Sequence, residues 1–461
     1  MILKNLIYIY QLENYNKKRF LFFVYRNLNW FSLNKRGELD WTMRAKLIFI
    51  ISIVVYIIII GIFAYSGGLC GFLLGIIFSL ISLPLYTILS DVLILPLVLF
   101  QKNKISNQAK KIIQSMKKDG LITIGITGSF GKTSMKNVLV SILNKKYKIF
   151  TFPGNINTDM GVAQYLIKNK SKIAKTDILI SEMGAYQKGD IEKLCDIIKP
   201  DYSITTSIGE SHLERFGSLK NVILAKFELA NATREKIFLN FCDKNIKDYA
   251  KLNIFNKIEI NKICGRKDVT EIKYLENYKG ISFKYRDQVF ETRVVANYII
   301  DFAVIAFAVA KELKLNELEM QNGLKNLKFT PHRLEVIKNK KLNRVIIDDS
   351  YNGNYAGFLA GLSVLNKARG RKIVLTPGIV ELGDKSREIH FRLAKKYIKS
   401  VDLVLLIVNR NTDFIVDKFK ELGYNNFKVY ETVEEAHADL ENILRNEDTI
   451  IFQNDVTDNY L

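Results

Sequence analysis

Acidic residues are in short supply: 47 Asp and Glu stand against 68 Lys and Arg, a formal net charge of +21 at pH 7. A surplus of that size points to an anionic partner, either nucleic acid or anionic lipid. Cysteine is scarce too, with four in 461 residues (Cys70, Cys195, Cys242 and Cys264). Their positions give no paired metal-ligand spacing and no disulfide framework, which fits a reducing compartment. There are only four histidines. No internal repeat and no low-complexity tract is present.

One stretch lacks charge altogether. From Leu47 to Tyr65 the chain reads LIFIISIVVYIIIIGIFAY, about the length that crosses a bilayer. After Ser66-Gly67-Gly68 a second apolar run extends from Leu69 to about Leu89. The pair lies too deep in the chain for a signal peptide. Two spans joined by a short turn read as a hairpin whose flanks share one side. Both flanks are basic: Lys17, Lys18, Arg19, Lys35, Arg36, Arg44 and Lys46 before, Lys102, Lys104, Lys110 and Lys111 after. The positive-inside rule places them in the cytoplasm. The alternative, a buried hairpin of a soluble core, is disfavoured because so few polar residues interrupt the runs. Anionic lipid then accounts for the basic surplus, and nucleic acid is not expected. Residues 1–46, with RFLFFVYR and the tryptophans Trp30 and Trp41, read as a basic, aromatic interfacial segment.

Beyond the hairpin (47–100), residues 101–118 form a Lys-rich helical linker. Apolar strand-like runs then alternate with helical patterns, the mark of α/β layers. LITIGIT (121–127), DILISEMG (177–184) and YSITTSIGE (202–210) belong to a central domain, 119–330, with a β-rich section near 253–296. RVIIDDS (344–350), RKIVLTPG (371–378), DLVLLIVN (402–409) and DTIIFQND (448–455) belong to a second unit, 331–461. The expected architecture is α/β: a transmembrane helical hairpin, a central P-loop mononucleotide-binding domain and a C-terminal Rossmann-like domain.

GITGSFGKTS (125–134) follows a strand and opens a helix. Free backbone N–H groups and the positive helix end then face phosphate. The general loop has a glycine where Ile126 stands, five residues before Gly131. Lys132 would neutralise phosphate and the Thr133 hydroxyl would hold Mg²⁺. Glu182 ends a strand, a position where ligands gather in open α/β sheets. His212 in GESHLERFGS and Lys226 in ILAKFELA earn no role singly, since a lone histidine is more often structural and a helical lysine solvated.

Taken in order, GITGSFGKTS, TFPGNINTDMG, SEMGAYQKGDI, SIGESHLERFGS, AKFE, PHRLEV, DDSYNGN and ELGDKS resemble the Mur ligase superfamily over about residues 119–461. DDSYNGN and ELGDKS favour the subgroup that adds D-alanyl-D-alanine to a muramoyl tripeptide. Loops of this superfamily have the form Gly-x-x-Gly-Lys-Thr, so Gly128 and Gly131 fit. The resemblance implies an ATP- and Mg²⁺-dependent amide ligase. Gly128, Ser129, Gly131, Lys132, Thr133 and Ser134 would hold ATP, with Glu182 on a first Mg²⁺ and His212 on a second. Lys226 matches a lysine that is often carbamylated, which makes it an anionic metal ligand. Asn155 and Asn157 would approach the acceptor peptide. Arg333, Asp349, Tyr351 and Asn352 would close over ATP, and Asp301 stands where an adenine-contacting Asn is usual. A monomer at the bacterial inner membrane is expected, with its catalytic domains in the cytoplasm. Relatives begin with a uridine-binding domain; here a hairpin stands in its place. A lipid-linked acceptor is therefore an alternative to a nucleotide-linked one. A non-catalytic membrane scaffold is a third reading, and the intact phosphate and metal set argues against it.

Overall fold

The computed structural model describes residues 2–27, 38–154, 156–252, 259–339, 344–351 and 353–454. Trp30, Lys35, Arg36, Asn155 and Asn352 lie outside them. The described residues divide into two compact units, with the boundary between residues 105 and 106.

In the first unit the helix Met43–Ile81 is interrupted at Gly67 (φ −136°) and Gly68 (φ +57°), where the chain doubles back. Gly71 and Gly75 make the return close. A Cβ on Gly71 would lie 2.0 Å from the Phe63 carbonyl oxygen, and one on Gly75 would lie 2.8 Å from Phe63 Cβ. Small residues at such contacts let helix backbones approach. Helix Leu83–Lys118 continues the return arm. Ser52 and Ser90 hydroxyls meet at 3.0 Å, and Arg44 clamps both oxygens of Asp91 at 2.7 and 2.9 Å. Helix Ile2–Leu12 packs on this hairpin, and Tyr10 donates to Asp91 at 2.9 Å. Helix Lys17–Arg26 leaves Phe22 and Tyr25 exposed.

Both long helices have the length and composition to cross a membrane. A core helix of a soluble protein would pass the same test with its apolar residues inside. Only 11% of the most apolar window of Met43–Ile81 is buried, so its side chains face outward.

The second unit holds two six-stranded sheets. The first comprises β1 (Ile122–Thr127), β2 (Ile149–Thr151), β3 (Ile178–Glu182), β4 (Tyr202–Thr205), β5 (Lys236–Asn240) and β6 (Glu259–Ile263), all parallel in the order β2-β3-β1-β4-β5-β6. The inner strands β3, β1, β4 and β5 are almost wholly buried, as a sheet covered on both faces requires, while the edge strands β2 and β6 are half-exposed. A small antiparallel sheet follows, β7 (Val269–Leu275), β8 (Gly280–Tyr285) and β9 (Gln288–Thr292). The second large sheet has the order β10-β11-β15-β12-β13-β14. Its members are β10 (Glu335–Asn339), β11 (Arg344–Asp349), β12 (Lys372–Thr376), β13 (Leu403–Ile407), β14 (Phe427–Tyr430) and β15 (Thr449–Gln453). Here only β10 runs antiparallel to its neighbour. Helix Tyr298–Glu312 is apolar nearly all round and correspondingly buried in the main core.

One expectation is corrected. Cys242 and Cys264, whose positions gave no sign of a disulfide framework, form a disulfide. They follow β5 and β6, neighbouring parallel strands whose shared ends bring the two Cα atoms within 4.8 Å. A separation of 22 residues carries no hint of that pairing. Cys70 and Cys195 are free.

Candidate active site

The loop after β1 is shaped by two glycines. Gly128 has φ +153°, and a Cβ there would lie 2.1 Å from Thr206 Oγ1. Gly131 has φ +82° and rests on the Phe302 ring, which a Cβ would approach to 2.2 Å. The turn is tied to the end of β4: Ser129 N–H donates to the Ser207 carbonyl at 2.7 Å, and Phe130 N–H to Ser207 Oγ at 3.1 Å. Gly131 then caps helix Lys132–Leu143 with no side-chain hydrogen bond to its first N–H groups. Those groups are what an anion binds. Lys132 Nζ donates to the Gly128 carbonyl at 2.8 Å. Burial, reinforced by Arg333 and opposed by Glu182, lowers its ammonium pKa to about 8.

Glu182, at the end of β3, accepts a hydrogen bond from Thr133 Oγ1 at 2.9 Å. Its other oxygen lies 2.8 Å from Lys136 Nζ. Lys136 sits three residues beyond Thr133 on the same helix face, and the pair is about nine-tenths buried. Lys136 gave no functional signal in the sequence; its i+3 spacing from Thr133 was the available clue. Thr133 and Glu182 are oxygen donors suited to Mg²⁺. Among the described residues no three His, Cys, Asp or Glu side chains gather into a metal-binding group. Asn157 lies beside this edge: its carbonyl accepts from Gly184 N–H at 3.4 Å.

His212 adopts φ +51° at the start of helix Leu213–Phe216. Its Nδ1 contacts the Glu381 carboxylate, and Arg215 Nε donates to the same group at 2.8 Å. Burial alone would raise the Glu381 carboxyl, but His212 and Arg215 hold it down at about 2. Tyr186 packs edge-on against His212 and lies under the Arg215 guanidinium. Neither Glu381 nor Tyr186 was distinguished in the sequence, although ELGDKS and SEMGAY contain them. Lys226, on helix Leu219–Ala232, is 2% exposed. Burial and the nearby Lys132 push its ammonium pKa well below the ordinary lysine value.

The second large sheet reaches the same place. Asn354, which caps helix Tyr355–Leu365, extends Nδ2 to the Ser129 carbonyl at 3.5 Å. Asn137 donates to Thr330 at 2.7 Å, just before the segment carrying Arg333. Arg333 lies 4.3 Å over the Tyr351 ring. Asp349, fully buried, accepts from Leu334 N–H at 3.2 Å. Ser134 Oγ is 3.5 Å from the Tyr298 hydroxyl. Asp301 stands one turn further along that helix, against Gly265 after β6.

A phosphate loop, a strand-end glutamate and a buried lysine, met by residues of a second α/β sheet, are matched by two family models. The Mur ligase middle domain matches residues 126–310, and the Mur ligase glutamate ligase domain matches residues 332–453. The chain belongs to the Mur ligase family. Among curated Mur ligases, the UDP-N-acetylmuramoyl-tripeptide–D-alanyl-D-alanine ligase of Bacillus subtilis is 26% identical over 285 residues, 61% of each chain. The chain thus spans about three-fifths of the length of that relative. MurF from Acinetobacter baumannii has the same fold, with TM-score 0.68 and 23% identity over 77% of both chains. MurF from Thermotoga maritima in complex with ADP gives TM-score 0.64 at 23% identity, over 77% of this chain and 80% of that one.

Proposed function

We propose that this Mur ligase is an ATP-dependent, ADP-forming amide ligase of peptidoglycan precursor synthesis. It joins the carboxylate of a muramoyl peptide to D-alanyl-D-alanine. The observation that carries this reading is the meeting of the Gly128–Thr133 loop with the C-terminal segment, where Asn354 reaches the Ser129 carbonyl at 3.5 Å and the Arg333 charge acts on Lys132. The activities named for its MurF-type relatives point the same way.

A carboxylate is a poor electrophile. One of its oxygens attacks the γ-phosphorus of ATP, ADP departs, and an acyl phosphate results. The dipeptide amine then attacks the acyl carbon, the bond from that carbon to the phosphate oxygen breaks, inorganic phosphate leaves, and an amide forms with loss of a proton from the amine. Lys132 and the loop N–H groups stabilise charge on the transferring phosphoryl group. Thr133 and Glu182 would hold Mg²⁺, which supplies further charge neutralisation. A second ion at His212 with a carbamylated Lys226 belongs to this reading; the depressed Lys226 ammonium supplies the neutral amine that carbon dioxide needs. Asn155 and Asn157 would approach the acceptor. Closure of the C-terminal domain excludes water from the acyl phosphate.

The outward-facing hairpin favours an acceptor presented at the bilayer, with the ligase domains on the cytoplasmic side. The test uses detergent-solubilised protein with ATP, Mg²⁺ and D-Ala-D-Ala. Either a UDP-linked tripeptide or a lipid-linked precursor is added, with phosphate release and product mass as readouts. Turnover of either acceptor supports the ligase reading, and a strict need for the lipid form selects a membrane-presented substrate. ATP binding without turnover across an acceptor panel would overturn both.

A further inference from the structure

A cavity of about 630 Å³ opens between the β7–β8 turn and the edge of the C-terminal sheet, within the size range of small-molecule sites. It is not the ATP site. Strand β11 runs from Arg344, which lines the cavity, to Asp349, and five residue steps put roughly 16 Å between them.

Its electrostatics are one-sided. Lys279, Lys338, Arg344, Lys367 and Arg369 line it against Glu276 and Glu447. Several of these cations are held by uncharged groups. Arg344 donates to the carbonyls of Leu444 and Arg445, and Lys338 to that of Asn277. Lys367 lies 4.1 Å over the Tyr274 ring. Arg369 faces Glu276 at 3.8 Å. Neutral partners orient a cation without cancelling its charge, so the cavity keeps a positive surplus that an anion would balance.

The wall opposite is strained. Asn277 (φ +54°) and Tyr278 (φ +53°) are successive non-glycine residues in the left-handed region. Such conformations are uncommon outside glycine and concentrate at ligand clamps. They place the Tyr278 hydroxyl out of solvent beside Thr449, without a hydrogen bond of good geometry. Tyr274 and Tyr278 supply flat surface for a ring.

We propose that this cavity is a second, non-catalytic site for a phosphorylated small molecule bearing a planar ring, such as a nucleoside diphosphate. Lys338, Lys367 and Arg369 take the phosphates, and the tyrosine wall takes the ring. Because the central and C-terminal domains both contribute, an occupant fixes one domain against the other. The proposal does not depend on the ligase reading.

The test is photolabelling of the full detergent-solubilised chain with 5-azido-UDP, followed by peptide mapping. Label is expected within residues 274–280 and should be blocked by excess UDP. Lys338→Gln with Lys367→Gln should lower it about tenfold, the loss of two charge-assisted contacts. Both lysines are exposed, so the variant's thermal midpoint should match the parent's. Pyrophosphate should compete more weakly than UDP; equal competition would overturn the part given to the tyrosines. Absence of label from this peptide, or labelling unchanged in the double variant, would overturn the site.

Discussion

Lys132 and Lys136 lie one helical turn apart and face different tasks. Lys132→Ala should lower turnover roughly 10²–10³-fold, as loss of a charge-stabilising donor does, while the protein stays in the membrane fraction. Activity near the parent level would remove Lys132 from the site. With its ammonium at about 8, Lys132 is charged below that pH and neutral above it. ATP affinity of the free protein should therefore fall as pH rises through 8. The stability sign is the opposite: between pH 8 and 10.5 the unfolded chain binds the extra proton, so stability rises over that window. Glu381, held near 2, behaves conversely. Its contribution is complete above pH 4.5 and disappears as pH falls toward 2. The strand–turn–helix around Gly128 and Gly131 was legible because its parts are contiguous. Glu381 was not, because its partners His212 and Arg215 lie more than 160 positions away.

At the scale of elements, the hairpin was readable from composition alone, since uncharged runs and a Gly-Gly turn leave few alternatives. Which residues touch across it was not, because apolar runs carry no register. Gly71 and the Ser52–Ser90 pair fix that register. Gly71→Val should destabilise the arms by about 1–3 kcal/mol, the usual cost of overpacking, seen as a lower thermal midpoint in detergent. Ser52→Cys with Ser90→Cys should cross-link under mild oxidant; failure to do so would contradict the pairing. The Cys242–Cys264 disulfide was illegible for the same reason as Glu381: only the order of strands brings the two residues together.

For the molecule as a whole, the outward apolar surface predicts retention in carbonate-washed membranes, and release into the soluble fraction would exclude a spanning hairpin. ADP with Mg²⁺ at about 100 times its dissociation constant should stabilise the ligase domains by about 2.7 kcal/mol; no shift in thermal midpoint would speak against the nucleotide site. The family was legible from the order of short motifs, while the second cavity was not, because its walls come from segments with no shared sequence signal. The Lys136–Glu182 ion pair has a consequence for life in the cell. The carboxylate that would hold Mg²⁺ is buried with a counter-charge supplied by the chain itself, so keeping the fold intact does not fall to the metal. Chelation should silence the protein without exposing it to proteases. The metal-free fold is then a resting form that persists until metal and nucleotide return, and nucleotide binding adds stability to it.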